Sequence, residues 1–79
     1  MKARKYDPLR HYLEGRLGPV AMTFAEIAAL VGGLQRSAVE RRAWWSNDAH
    51  GHVQPAAWLA AGRRAGRVDL KARRIEFSL

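Results

Sequence analysis

The sequence predicts a small α+β domain with three to four short helices, a C-terminal β-hairpin and one short extra strand. Apolar residues recur with a helical period over residues 24–31, between a Thr-x-x-Glu start and two glycines. Near the C-terminus the period changes to two: Val68 and Leu70 alternate with charged residues, and so do Ile75 and Phe77. Helices covered by a small sheet in this order are typical of a winged-helix-like domain, in which the hairpin is the wing.

The N-terminal part predicts a short helix followed by a brief strand. Asp7 is expected to be the N-cap of the helix, with Pro8 at its first position and Gly15 at its end. Residues 19–23 follow a glycine and place Val20 and Met22 on one side, as in a strand.

After the helix over residues 24–31, a third helix is predicted from Ser37, as its N-cap, to about Trp45. Two helices joined by a short glycine-containing turn have the order of a helix-turn-helix. Residues 46–53 are polar and predict a loop, and residues 55–62 predict one more short helix that starts at a proline and stops at a glycine.

Composition limits the classes of function. The chain has 79 residues, which suits a single domain over residues 1–79, and it has no cysteine that could form a disulfide or a thiolate zinc site. No apolar run is long enough to span a membrane, and a basic start without an apolar core does not resemble a signal peptide, so we expect a cytoplasmic protein. We find no nucleophile with a paired base and no glycine-rich phosphate loop, and we predict neither an enzyme nor a cofactor.

The net charge of the chain predicts a polyanionic binding partner. The formal net charge is +7 and the isoelectric point is about 11.1. A small surface with this charge attracts nucleic acid through counterion release. A generally basic surface, an anionic lipid and an acidic protein partner are the alternatives.

Several stretches resemble a family of small domains of unknown function that occurs in bacteria, archaea and phages. The resemblance covers nearly the whole chain and is carried by Tyr6-x-Pro8-Leu9, Thr23-Phe24-x-Glu26-Ile27, Ser37-Ala38, Trp44-Trp45-x-Asn47 and Ala57-Trp58-Leu59-x-x-Gly62. The chain departs from the family where a turn proline is usual, at Gln35 or Arg36, and where an aromatic residue is usual, at Arg63. The resemblance implies an autonomous domain and no particular activity.

The third helix carries the first group of candidate contacts. On a continuous helix Trp45 shares a side with alanine and valine and is expected in the core, whereas Trp44 lies on the other side and suits either packing or a contact. Arg41 and Arg42 are expected to bind phosphates or base edges, or to pair with neighbouring acids. Asn47 is expected to cap the helix or to bond within the adjacent loop.

The hairpin carries the second group. Six basic residues occur between positions 63 and 74, against one acid, Asp69. Strand alternation predicts that Arg67, Lys71 and Arg74 share the outward face, with Arg73 near the tip; a solvated charged face is the alternative. Residues 1–5 predict a flexible basic arm that adds phosphate contacts.

We therefore predict a small nucleic-acid-binding protein, nucleoid-associated, whose partner is double-stranded DNA. The predicted contact residues are Arg36, Ser37, Arg41, Arg42, Trp44, Arg63, Arg64, Arg67, Lys71, Arg73 and Arg74. One alternative is a protein-interaction module that docks on an acidic partner through Trp44 and Arg41. Another is a homo-oligomer, at its simplest a homodimer, that coats the nucleoid and associates through the alanine-rich face near Ala56 to Ala61. His50 and His52 lack a third firm ligand, so no metal site is predicted.

Overall fold

The computed structural model describes residues 5–48 and 53–79 and confirms the α+β class. Within these ranges the structure contains four α-helices, one 3-10 helix and a three-stranded antiparallel sheet. The elements in chain order are α1 (Asp7–Glu14), β1 (Val20–Thr23), α2 (Phe24–Val31), α3 (Arg36–Glu40), the 3-10 helix (Arg42–Trp45), α4 (Gln54–Ala60), β2 (Arg64–Asp69) and β3 (Arg74–Ser78). None of the helices in these described ranges is long and apolar enough to cross a membrane.

Helix α2 forms where its local signals place it. The Thr23 hydroxyl accepts a hydrogen bond from the Glu26 backbone N–H at 3.1 Å, and the Glu26 carboxylate accepts one from the Thr23 backbone N–H at 2.8 Å. Two backbone donors that a helix start leaves without partners are thereby satisfied. Gly32 ends the helix with φ +78°, in the left-handed region that favours glycine.

Helix α1 confirms the predicted helix, with a different start. Its N-cap is Tyr6, which makes no side-chain capping bond, and Asp7 lies in the first turn. A carboxylate there is still favourable, because the N-terminal end of a helix carries partial positive charge. Of the predicted basic arm, Lys2 and Arg4 lie outside the described residues, while the Lys5 ammonium donates to the Val31 carbonyl at 3.0 Å.

The predicted continuous helix from Ser37 to Trp45 is wrong. Helix α3 has five residues and begins after Gln35, its N-cap, so Ser37 lies inside it. Arg41 is extended, with φ −127° and ψ 120°, and the 3-10 helix follows. On one straight helix the two tryptophans would point about 100° apart. The break allows both to enter the core, where Trp44 is 9% and Trp45 is 3% exposed.

The strands form a sheet in the order β1-β3-β2. The predicted hairpin is confirmed: Asp69 pairs with Arg74 across the turn, and the Asp69 carboxylate accepts a hydrogen bond from the Ala72 N–H at 3.0 Å. Strand β2 starts earlier than its alternation indicates, and its register shifts between Ala65 and Val68. The resulting bulge explains why the buried residues Ala65 and Val68 are three positions apart instead of two, while Leu70 lies in the turn after β2.

The core is a connected set of aromatic rings. Ring contacts run from Tyr6 through Trp44, Trp45 and Trp58 to Phe77, and Phe24 stacks on Trp45; the ring centroids of these pairs are 4.6 to 6.0 Å apart. Each such pair contributes about 0.5 to 1.5 kcal/mol beyond the area it buries. The Trp45 indole N–H donates to the Ala38 carbonyl at 2.7 Å, which satisfies its polar atom inside the core. The prediction that Trp45 is a core residue is confirmed.

The Tyr6 phenol gives the fold a dependence on alkaline pH. Burial raises the pKa of Tyr6, because ionisation would place a charge in a poorly solvated position. In the unfolded chain this phenol ionises near pH 10, so its contribution to stability is complete below about pH 10 and is lost above it. We expect the urea midpoint of the wild type to fall more steeply than that of Tyr6→Phe between about pH 9 and 11. Equal losses in the two proteins would contradict this assignment.

Candidate nucleic-acid interface

Most of the predicted contact residues are exposed. The arginines and the lysine that face solvent are Arg36, Arg41, Arg42, Arg64, Arg67, Lys71, Arg73 and Arg74. Ser37 is half-buried, and Trp44 and Arg63 are buried. The exposed set belongs to two parts of the chain, the segment from α3 to the 3-10 helix and the β2–β3 hairpin.

A hydrogen bond joins these two parts. The Arg42 guanidinium donates through Nη1 to the Val68 carbonyl at 2.5 Å. Val68 lies on β2, whose outer edge is not paired with another strand. The segment that carries Arg41 and Arg42 is therefore in contact with the hairpin at β2.

Asn47 makes a second connection to the same edge. Its side-chain oxygen accepts from the Ala65 N–H at 2.7 Å, and its amide nitrogen donates to the Ala65 carbonyl at 2.9 Å. The same oxygen accepts from the Trp58 indole at 3.0 Å. The amide thus satisfies Ala65 as a neighbouring strand would, a long-range contact that was not predicted. The chain separation of 18 residues hides this role from local patterns. Residues 49–52 of the loop in which a local contact of Asn47 was expected lie outside the described residues.

The hairpin distributes its charges differently from a regular ribbon. Arg74 pairs with Thr23 on one side and with Asp69 on the other, in the outward-facing row of the sheet. Arg67 lies in the bulge and Lys71 lies in the turn. Strand alternation therefore does not place these two residues on one face with Arg74, in contrast to the prediction. Arg73 occupies the turn with φ +57°, which is uncommon for a residue other than glycine.

Few of these cations are neutralised by neighbours. Arg36 pairs with Glu40 at 3.7 Å on exposed side chains, which contributes little to stability. Among residues 5–48 and 53–79, no salt bridge involves Arg41, Arg42 or the basic residues of the hairpin.

Arg63 has to be removed from the contact set. It is 2% exposed, and its guanidinium donates to three carbonyls, those of Leu13 at 3.2 Å, Arg16 at 2.8 Å and Gly18. These bonds hold the end of α1 and the loop after it, so the side chain cannot also reach a ligand. The sequence carried one signal that Arg63 is buried. The resembling family usually has an aromatic residue at this position, and positions that hold aromatic residues are usually buried.

Trp44 also has to be removed. Its indole N–H donates to the Gln35 side chain at 3.0 Å, and its carbonyl accepts from the Gln54 side chain at 3.2 Å. Its ring packs edge-on against Tyr6 and Trp45. The protein-interaction alternative therefore loses the aromatic anchor on which it depended.

The candidate metal ligands His50 and His52 lie outside the described residues. Within the parts of the chain that the structure describes, no three His, Cys, Asp or Glu side chains cluster as a metal ion would require.

Comparison with known proteins identifies the family. The family model described as a domain of unknown function, DUF7662, matches residues 6–78. The chain belongs to this family, and the resemblance found in the sequence is confirmed. No curated protein and no solved structure matches the chain.

Proposed function

We propose that this member of the DUF7662 family binds double-stranded DNA, with the β2–β3 hairpin and residues 36–42 contacting the phosphate backbone. The observation that supports the proposal is the Arg42 to Val68 hydrogen bond, which joins two parts of the chain that each carry exposed cations. Exposed cations on neighbouring parts of a protein gain from releasing counterions when they meet a polyanion. The proposed activity is binding, without a catalytic step.

The proposed arrangement is winged-helix-like. The order β1, α2, α3, β2 and β3, with β3 central in the sheet, places a helix pair before a basic hairpin. In this proposal α3 lies over the major groove and the hairpin is the wing. Because α3 has only five residues and its Arg36 is paired with Glu40, it offers few side chains to base edges. We therefore propose binding with little sequence preference, at a cytoplasmic, nucleoid-associated location.

The first test measures binding and its salt dependence. Fluorescence anisotropy with a labelled duplex of about 20 base pairs and a matching single strand, at about 50 and 200 mM salt, reports both affinities. We expect the duplex to bind with a Kd in the micromolar range or below at the lower salt. A plot of the logarithm of the affinity against the logarithm of the salt concentration should have a slope of about −0.9 for each phosphate contact. Absence of duplex binding at the lower salt would overturn the proposal, and tighter binding to the single strand would overturn the choice of duplex.

The second test asks whether the hairpin itself is the contact surface. The double variant Arg73→Asn, Arg74→Gln removes two charges, and asparagine tolerates the left-handed backbone at position 73. The control is Arg10→Gln, Arg16→Gln, which makes the same change in net charge at α1 and the loop after it. We expect the hairpin variant to lose about tenfold or more in duplex affinity and to flatten the salt slope by about 0.9 for each lost contact. Equal losses in the two variants would mean that net charge alone attracts the DNA.

A further inference from the structure

We propose that the hollow between α1 and α4 is a binding site for a small organic anion with a compact apolar body. The hollow has a volume of about 490 Å³. Sites for small molecules are typically about 300 to 1,000 Å³, with apolar walls and a few polar groups that fix the ligand. This inference does not depend on DNA binding.

The apolar wall comes from α4 and the start of α1. Val53, Ala56, Ala57 and Ala60 recur at the spacing of one helical face, and the Tyr6 ring contributes from the other side. Alanines on this face leave room that larger side chains would fill. Val53 is 70% exposed, so apolar surface extends to the opening of the hollow, where a ligand would remove it from water.

The polar groups favour an anion. Lys5 and Arg10 line the hollow together with one acid, Asp7. The bond between the Lys5 ammonium and the Val31 carbonyl holds this cation in place at the site. The lining thus holds two cations and one carboxylate, and the ion-pair partner of Arg10, Glu14, is not part of it. Both cations lie beside an apolar wall that lowers solvent screening.

Arg10 supplies a further observation. Its Nε is buried and makes no hydrogen bond within the described residues. This Nε is itself the atom 3.9 Å from the Glu14 carboxylate, and Nη2 is 3.1 Å from the His11 ring nitrogen, so the position of the guanidinium is set by its own helix. Nη1 makes no hydrogen bond to another described residue, and this end of a planar guanidinium suits a carboxylate or another planar oxyanion.

The test titrates the isotope-labelled protein with benzoate, neutral benzamide and inorganic phosphate, up to about 10 mM each. Amide chemical shifts report where each probe binds. We expect benzoate to cause saturable shifts at Arg10, Ala56 and Ala60 and to bind at least about tenfold more tightly than benzamide. Inorganic phosphate, which lacks an apolar body, is expected to leave Ala56 and Ala60 unchanged. No saturation with benzoate, or equal affinity for benzamide, would overturn the proposal.

Variants locate the site. Ala60→Phe fills the hollow from an exposed position, and Ala21→Phe is the matched control on the outward face of β1. We expect Ala60→Phe to abolish benzoate binding, Ala21→Phe to leave it unchanged, and Arg10→Gln to weaken benzoate about tenfold without affecting benzamide. If Ala60→Phe lowers the thermal midpoint markedly, Ala56→Leu serves as the second filling variant. Retained benzoate affinity in a folded, filled variant would place the site elsewhere and overturn the proposal.

Discussion

Replacement of Arg63 by methionine is expected to lower the free energy of unfolding by about 3 to 5 kcal/mol. The guanidinium joins the end of α1 and the following loop to the residue before β2, because it donates to the carbonyls of Leu13, Arg16 and Gly18. Methionine fills a similar volume but donates to none of these carbonyls. A domain of this size is stable by only about 4 to 12 kcal/mol, so the loss should bring it close to unfolding.

The buried charge of Arg63 has no acidic partner within the described residues. It is compensated instead by carbonyl dipoles, including that of Leu13 in the last turn of α1, where a helix carries partial negative charge. Arg63→Lys keeps the charge but not the planar fork, and we expect its free energy of unfolding to lie between those of the wild type and Arg63→Met.

The measurement is urea unfolding followed by tryptophan fluorescence, with Arg64→Met as the matched control. Arg64 is the next residue and is exposed, so its replacement should change stability by less than about 0.5 kcal/mol. Similar midpoints for the variants at 63 and 64 would show that the three carbonyl bonds contribute nothing.

Replacement of Asn47 by leucine is expected to lower the free energy of unfolding by about 2 to 4 kcal/mol. The change leaves the Ala65 N–H and the Trp58 indole N–H without their acceptor, and both groups are shielded from solvent. Unsatisfied buried donors cost more than the bond itself contributes, because they lose water without gaining a partner.

A double-mutant cycle separates this cause from simple loss of packing. Trp58→Phe removes the indole donor, so it should cost less in the Asn47→Leu background than in the wild type. The expected coupling between the two positions is about 1 kcal/mol, measured from urea midpoints. Ser46→Ala is the control, because the Ser46 side chain makes no hydrogen bond in the described structure. Additive losses at 47 and 58 would contradict the proposed role of the indole bond.

The side chains that bond to the outer edge of β2 also matter for the proposed function. Asn47 and Arg42 occupy the outer edge of β2 at Ala65 and Val68. An unpaired strand edge otherwise offers its backbone groups to other chains. By covering this edge with side chains, the protein fixes the hairpin against the segment that carries Arg41, and so holds the two parts that carry exposed cations next to each other.

The sequence by itself determined the elements whose causes are local. The capping box at Thr23 and Glu26 and the glycine stop at Gly32 act within one helical turn, and α2 forms where they place it. The alternation from Ile75 to Phe77 and the turn beside Asp69 likewise predicted the hairpin. Net charge, a sum over residues, was also available without any structure.

Only the tertiary structure decided the break at Arg41 and the roles of Arg63 and Asn47. The hydrogen-bond partners of Arg63 and Asn47 lie 11 to 50 residues away along the chain, so no local period records them. Helix periodicity put Trp44 on the side opposite Trp45, and so left both packing and a contact open for it, because it assumed a continuous helix to Trp45. The core instead needed both rings, and burial of two large aromatic side chains outweighs the few backbone bonds that one uninterrupted helix would have kept.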